Sequence, residues 1–251
     1  MRAVDHLLRA TARAEARHFW FRGFRRFVTP LIRQALDGRS DGRILDCGCG
    51  TGANLELLGR FGMAYGFDLS EVGLHIGRES GRHRIARASV TAAPFPSEAF
   101  DLVTSFDVIY SLADRDERAA VAEMYRLARP GGYALFNVAA LEFLRGDHSV
   151  LSHEVRRYTR AALDALVTHA GFTIVRLTYT NTALFLPLAV TRTVHRRRGL
   201  AKEAEAKQEI SVPPAPVNAA LSSILFLESL WLRRFDSPIG SSLLCLARKP
   251  A

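Results

Sequence analysis

Ten residues near the start of the chain restrict it most: Ile44-Leu45-Asp46-Cys47-Gly48-Cys49-Gly50-Thr51-Gly52-Ala53. An apolar strand-like run passes into glycines at every second position, and helical spacing follows. Glycine lets a backbone enter left-handed conformations and approach a ligand closely. A strand, a glycine turn and a helix in this order form the first crossover of an open parallel sheet, where nucleotide-like ligands bind. Gly48, Gly50 and Ala53 satisfy the spacing of dinucleotide loops, so the glycines alone do not choose the ligand.

The stretch from about 40 to 180 continues that alternation. Arg43–Cys47, Met63–Asp68, His83–Ala88, Phe100–Phe106, Tyr133–Val138 and Phe172–Tyr179 read as strands. Thr51–Arg60, a segment capped by Ser70, Arg115–Ala128 and Tyr158–Ala170 read as helices, with Pro130-Gly131-Gly132 as a turn. The pattern predicts an α/β fold, a doubly wound, mostly parallel sheet with helices on both faces. Residues 1–39 read as an N-terminal helical cap, 40–180 as the ligand-binding core and 181–237 as a helical insertion. Residues 238–251 return as the final strand, centred on Ser241–Ala247.

Asp46 narrows what the loop holds. A dinucleotide places a doubly charged pyrophosphate at such a turn, and a carboxylate there repels it. A ligand with an ammonium or sulfonium at the same place is attracted. Asp46 also suits an N-cap, but the glycines beside it favour the ligand role. Asp68 lies 20 positions after Gly48, where an acid meets ribose hydroxyls with either ligand.

These residues resemble a known family. ILDCGCGTG resembles the first motif of class I S-adenosylmethionine-dependent methyltransferases, and GFDLS their ribose-binding motif. APFPSEAFDLVTSFDVIYSL is similar to the approach to their fourth strand, and RLARPGG to the turn before their fifth. HFWFRGFRR and HEVRRYT are similar to a bacterial, methyltransferase type 11-like subgroup. The resemblance implies a seven-stranded sheet whose last strand is antiparallel, and S-adenosylmethionine as cofactor. It implies that Gly48, Cys49, Gly50 and Gly52 shape the methionine pocket, Asp46 faces the cationic end and Asp68 holds the ribose. Leu69 and Val90 then sandwich the adenine, Ser89 bonds its edge, backbone at Phe106 closes a wall, and Trp20 and Arg22 line the pocket. Two departures stand out. Ser89-Val90 replace a frequent Asp-Ala, and Tyr110-Ser111 replace a frequent Glu-His after the fourth strand, which removes a catalytic histidine there.

The loops beyond the strand ends should hold the acceptor, a small molecule of anionic or amphipathic character. His148, His153, Arg156, Arg157 and Tyr158 crowd the segment after the fifth strand. His148, His153 and Tyr158 are the candidate catalytic groups; Tyr110, Arg156 and Arg157 are the candidate substrate contacts. Fixing the loop against the core accounts for each residue equally well. Asp147, His148 and His153 suggest no metal site that the chemistry needs.

The chain carries a formal charge of +9, with local clusters at Arg22/Arg25/Arg26, Arg156/Arg157/Arg160 and Arg192/Arg196/Arg197/Arg198. An anionic substrate or membrane surface fits these; nucleic acid is disfavoured because few aromatics lie among the arginines. Leu184–Leu188 and Ile224–Trp231 are apolar beyond the needs of a solvated insert. A lid, a homodimer face, a peripheral membrane contact and plain core packing all account for them. Three cysteines make no disulfide framework, and there is no secretory pattern or spanning run, so a cytoplasmic setting is expected. Rival readings are a cyclase or isomerase on the same cofactor fold, a membrane- or partner-docking binding protein, and a nicotinamide oxidoreductase, which Asp46 disfavours.

Overall fold

A computed structural model describes residues 2–146, 149, 153–197 and 211–251. Helices α1 (Arg2–Ala14) and α2 (Phe19–Ala35) come first. There follow β1 (Gly42–Cys47), α3 (Ala53–Leu58), β2 (Gly62–Asp68), α4 (Glu71–Glu79) and β3 (Ile85–Arg87). The chain continues through β4 (Phe100–Phe106), α5 (Asp114–Leu127), β5 (Ala128–Ala139), α6 (Arg160–His169) and β6 (Thr173–Thr180). Helices α7 (Phe185–Arg197) and α8 (Ala215–Trp231) precede the last strand, β7 (Ser242–Arg248).

The seven strands form one sheet in the order β3-β2-β1-β4-β5-β7-β6. β7 runs antiparallel to both neighbours; the other pairings are parallel. Strand order reverses between β1 and β4, which opens a crevice beyond their carboxyl ends. The loops after those two strands are therefore neighbours, and the site is built there.

Both faces of the sheet are covered because the central strands are apolar on both. Val121, Met124 and Leu127 of α5 and Leu163 and Val167 of α6 pack with Val103, Phe136 and Cys245 on one side. On the other, Phe27, Val28, Leu31 and Ile32 of α2 recur at helical spacing and meet Ile44, Leu102, Leu135 and Leu244. Helix α2 thus lies across the middle of the sheet rather than at its rim. α8 packs outside it, and the fit needs Gly23, since a Cβ there would stand 2.4 Å from Leu225 Cδ1.

Local departures from the sequence pattern have plain causes. The Pro130-Gly131-Gly132 turn is an arch inside β5, which pairs with β4 at Ala128 and again from Tyr133. Gly131 supplies the left-handed residue at φ +73°. The helix expected from Tyr158 begins at Arg160, because Thr159 caps it by accepting from the Ala162 N–H. Tyr158 instead bridges to Ala140. His153 and Arg157 consequently share no helix. The insertion's apolar stripe Ile224–Trp231 is not core packing throughout: Leu225 is buried, whereas Ile224, Phe226, Leu227, Leu230 and Trp231 are exposed. No helix among the described residues is long and apolar enough to cross a membrane.

Overpacking the α2–α8 contact should be measurable. Gly23→Val should cost about 1–3 kcal/mol, a fall of roughly 2–10 °C in Tm for a chain of this size. In a Leu225→Ala background the same substitution should cost less than half as much; equal costs in a double-mutant cycle would place the strain elsewhere.

Candidate active site

The loop after β1 is held in shape by its own backbone. Gly48, Gly50 and Gly52 take φ values of +81°, +57° and +74°, a left-handed region that penalises any side chain. The N–H groups of Gly48 and Cys49 both donate to the Phe67 carbonyl at 2.9 Å, and Gly50 N–H donates to Asp68 Oδ2 at 2.8 Å. The loop therefore wraps the end of β2. A Cβ on Gly48 would stand 2.5 Å from Val108, so the loop after β4 presses directly on the turn. Cys49 points inward against Gly66, and burial pushes its thiol far above the ordinary range, which leaves it unreactive.

Asp46 lies in β1 directly before this turn and is 1% exposed. Its Oδ1 accepts from Thr104 Oγ1 at 2.7 Å, on the residue paired with it in β4. Its Oδ2 is buried without a hydrogen-bond partner. Burial raises its pKa to about 7; the Thr104 bond opposes the shift and the Asp68 charge adds to it. An acid in this state lacks a positive group. Asp68 is half-buried at the end of β2 and accepts from Gly50 N–H and Ser70 N–H, both at 2.8 Å. Each oxygen keeps a lone pair for a further donor.

The chain's beginning closes one side. Leu8 of α1 lies near Gly50 and Gly73, at 3.4 and 3.3 Å from their notional Cβ positions. Glu15 is buried beside the loop, accepting from Thr51 Oγ1 at 3.3 Å, with Arg82 Nη1 at 3.8 Å. Arg82 also donates to the Thr51 carbonyl at 3.0 Å and to Glu56. This Glu15–Thr51–Arg82 group was not singled out from the sequence; only the buried position of Glu15 betrays it. Trp20 is half-buried one turn before Phe24, whose ring meets Phe106 edge-on at 5.0 Å. Arg22 is exposed and lies off that face.

Leu69 follows Asp68 and is 60% exposed, an apolar side chain left open at the strand ends. Val90 packs partly against the core, and Ser89 begins a tight turn in which its Oγ lies 2.8 Å from Thr91 Oγ1. Leu69, Ser89 and Val90 thus follow the ends of the adjacent strands β2 and β3.

On the far side of the crevice the structure singles out Asp107, which the sequence reading passed over. It directly follows β4 at φ +61°, an uncommon conformation for a residue with a side chain. Its N–H donates to the Asn137 carbonyl at 2.9 Å and its Oδ1 accepts from Asn137 Nδ2 at 3.0 Å. Burial, then the Glu154 carboxylate, raises its pKa to about 7, against the Asn137 bond and Arg157. The residue nonetheless keeps an open surface. That surface favours the charged form while water fills the crevice, and the shift reaches its full size only when water is displaced. The one sequence signal was an acid immediately past a central strand.

The charged residues after β5 are largely committed to one another. The Arg157 side chain is buried and pairs with both oxygens of Glu154, at 2.8 and 3.1 Å, and donates to the Ala140 carbonyl. Arg156 pairs with Asp114 and Glu117, each at 2.7 Å. Tyr158 is buried and donates to Glu117; burial and that carboxylate raise its pKa far above the ordinary value. Tyr110 is buried, and its carbonyl accepts from Val155 and Arg156 N–H. These contacts hold the loop over the strand ends. His153 is exposed at φ +51°; His148 lies outside the described residues.

Comparison with known proteins agrees with this geometry. Residues 45–136 match the family model of a methyltransferase domain. A ubiquinone/menaquinone biosynthesis C-methyltransferase from Pseudoalteromonas translucida is 31% identical over 125 residues, 45% of this chain and 47% of that protein. A probable S-adenosylmethionine-dependent methyltransferase from Mycolicibacterium smegmatis is 29% identical over 162 residues, 62% of this chain and 60% of that protein. The chain spans about half the length of the curated relatives it matches. Among solved structures, the [4+2]-cyclase SpnF superposes with a TM-score of 0.55 at 20% identity, over 89% of this chain and 80% of that one. That likeness is one of fold.

Asp46 carries a pH signature. Its native carboxyl keeps a proton that the unfolded chain has lost above about pH 4, so this contribution to stability is full at low pH. It is lost as pH rises through about 7. Denaturant unfolding should show a decline of order 2–4 kcal/mol from this group between those limits. Asp46→Asn should flatten that part of the slope; an unchanged slope would mean that the carboxyl is not held protonated.

Proposed function

We propose that this chain is a class I S-adenosylmethionine-dependent methyltransferase, as the match of residues 45–136 to a methyltransferase domain supports, and that it methylates a small-molecule acceptor at oxygen, nitrogen or carbon. The observation that carries the reading is the partnerless, buried Oδ2 of Asp46 beneath a loop of left-handed glycines. A cationic ligand satisfies that oxygen, whereas a pyrophosphate aggravates it. The fit extends outward: Asp68 has lone pairs for a ribose diol, and Leu69 and Val90 offer apolar surface to a ring. Ser89, the backbone at Phe106, and Trp20 border the same space.

When bound, S-adenosylmethionine supplies an electrophilic methyl group together with its leaving group. The chain's own task is alignment, exclusion of water and removal of one proton. Asp46 and Asp68 fix the two ends of the cofactor. Asp107 takes the proton from the acceptor, because its carboxylate lies between the ends of β4 and β5 and the loop after β5. A pKa of about 7 suits a base at neutral pH. His153 is the remaining candidate for this role among the described residues. Arg156, Arg157 and Tyr158 act as positioning residues, since their polar atoms are already engaged. A biosynthetic role follows the named relatives, and three free, buried cysteines suit a reducing, cytoplasmic setting.

Two measurements test this. Isothermal titration should show S-adenosylmethionine binding that weakens about 10- to 100-fold in Asp46→Asn, the loss of one charge-assisted contact, and comparably in Asp68→Ala. Binding of NAD in its place would overturn the assignment. For Asp107, incubation with labelled cofactor and an organic extract of the producing cell should yield product heavier by one methyl group. An unshifted product mass with turnover would favour a cyclase or isomerase. The rate should rise with pH to a plateau above about 7. Asp107→Asn should bind cofactor normally yet lose about 10²- to 10⁴-fold in rate. A variant that retains both rate and pH profile would remove Asp107 from the mechanism.

A further inference from the structure

Helix α8 wears its polarity inside out. A helix on a protein surface normally turns an apolar stripe inward and charge outward. Here Ser222, Glu228 and Ser229 are buried, together with Leu225 and Leu232. Glu228, the helix's only charged residue, accepts from the Thr182 and Ala183 N–H groups at 2.8 and 3.1 Å and so fastens the start of the insertion. Asn218 is spent on α2, accepting from Phe19 N–H and donating to the Arg17 carbonyl. The opposite face carries Ile224, Phe226, Leu227, Leu230 and Trp231, all exposed, with Leu227 at 64% and Trp231 at 54%. Exposed Phe235 packs its ring tilted against Trp231, with centroids 4.5 Å apart, and lengthens the patch.

The rim of this patch is basic. Arg26 of α2 donates to the Ser222 carbonyl and lies 5.0 Å over the Phe226 ring. Exposed Arg22 lies one turn before it, and exposed Arg233 and Arg234 follow the helix directly. Nearby acids are neutralised or turned away: Asp236 pairs with Arg176 at 2.8 Å, and Glu228 faces inward.

We propose that the exposed face of α8 and its arginine rim dock on an anionic lipid bilayer, with the helix lying in the interface. The apolar side chains and Trp231 enter the headgroup–acyl boundary, and the arginines meet lipid phosphates. The helix's 17 residues fall short of the roughly 20 that span a bilayer, so it lies on the membrane. Charge selects this occupant over a second copy of the chain. A two-fold interface lays each patch against itself, and here that brings two rims of arginine together, because Glu228 of α8 is turned inward onto Thr182 and Ala183 and Asp236 is taken up by Arg176.

Co-sedimentation with vesicles tests the assignment without knowledge of the acceptor. The full chain should pellet with phosphatidylglycerol/phosphatidylcholine vesicles, at least tenfold more than with phosphatidylcholine alone, and salt should weaken the binding. Leu227→Asp/Trp231→Ser should lose binding at least tenfold, and Arg233→Glu/Arg234→Glu should lose the anionic preference. Unchanged S-adenosylmethionine titration in both variants shows that they are folded. Equal pelleting of wild type and variants would overturn the proposal. So would an absence of vesicle binding, and so would a concentration-dependent dimer abolished by Leu227→Asp/Trp231→Ser without any lipid effect, which would assign the face to a second copy.

Discussion

A carboxylate that water cannot reach sits at the centre of the sheet's carboxyl edge, and the arrangement around it follows from that. Asp46 is held between β1 and β4 by its register partner Thr104, which satisfies one oxygen and leaves the other bare. Burying such a group costs several kcal/mol unless a proton or a cation compensates it. The fold tolerates the cost because rigid surroundings impose it. The turn that follows is fastened to β2 by three backbone donors, and its left-handed glycines leave no side chain to shield the acid. A protonated Asp46 in the free protein and an ionised one beside a cationic ligand are two states of one site. Ligand binding should therefore be coupled to proton release.

The acceptor side is ordered by a different device. Arg156 and Arg157 read as free cations when only their own segment is considered. Asp114, Glu117 and Glu154 take up both, so the loop after β5 is pinned by internal pairs over the end of β4. Among the described residues Asp107 hydrogen-bonds to a neutral amide, Asn137, and is pressed by the Glu154 charge more than it is relieved by Arg157. A carboxylate supported by a neutral amide stays basic, whereas one paired with arginine does not. In the proposed reaction the arginines would thus serve the chemistry by being occupied.

What was legible in the chain follows the range of the interactions. The strand–glycine–helix unit, Asp68 twenty residues on, and the alternation to residue 180 are local, and their strand boundaries agree with the structure to within a residue or two, β5 apart. β5 differs because a left-handed Gly131 forms an arch instead of a strand end, a distinction set by pairing with β4. Asp107 escaped notice because its partner Asn137 lies 30 residues away. Tyr158 and Arg156 looked like site residues because Glu117, some 40 positions earlier, carried no mark of its destination. The inverted polarity of α8 was equally hidden: polar residues at helical spacing normally face water. Here they turn inward because the breaks at Asn181–Ala183 and Arg17–Phe19 offer backbone groups that need partners.

Helix α2 joins these separate demands. Its Phe27–Ile32 stretch closes one face of the sheet, Phe24 reaches the end of β4 at Phe106, and Gly23 admits Leu225 of α8. A larger residue at position 23 would push α8 outward and draw Glu228 away from the Thr182 and Ala183 N–H groups, loosening the start of the insertion. The smallness of one residue therefore sets how close the exposed apolar helix stands to α2. Phe24 meets the end of β4 at Phe106 while Arg26 reaches α8 at Ser222 and Phe226, so the same helix touches both elements. On the proposed membrane docking, a bilayer would contact the chain at the helix that α2 holds in place, so the packing of α2 against the sheet and against α8 fixes the direction from which an amphipathic acceptor would arrive.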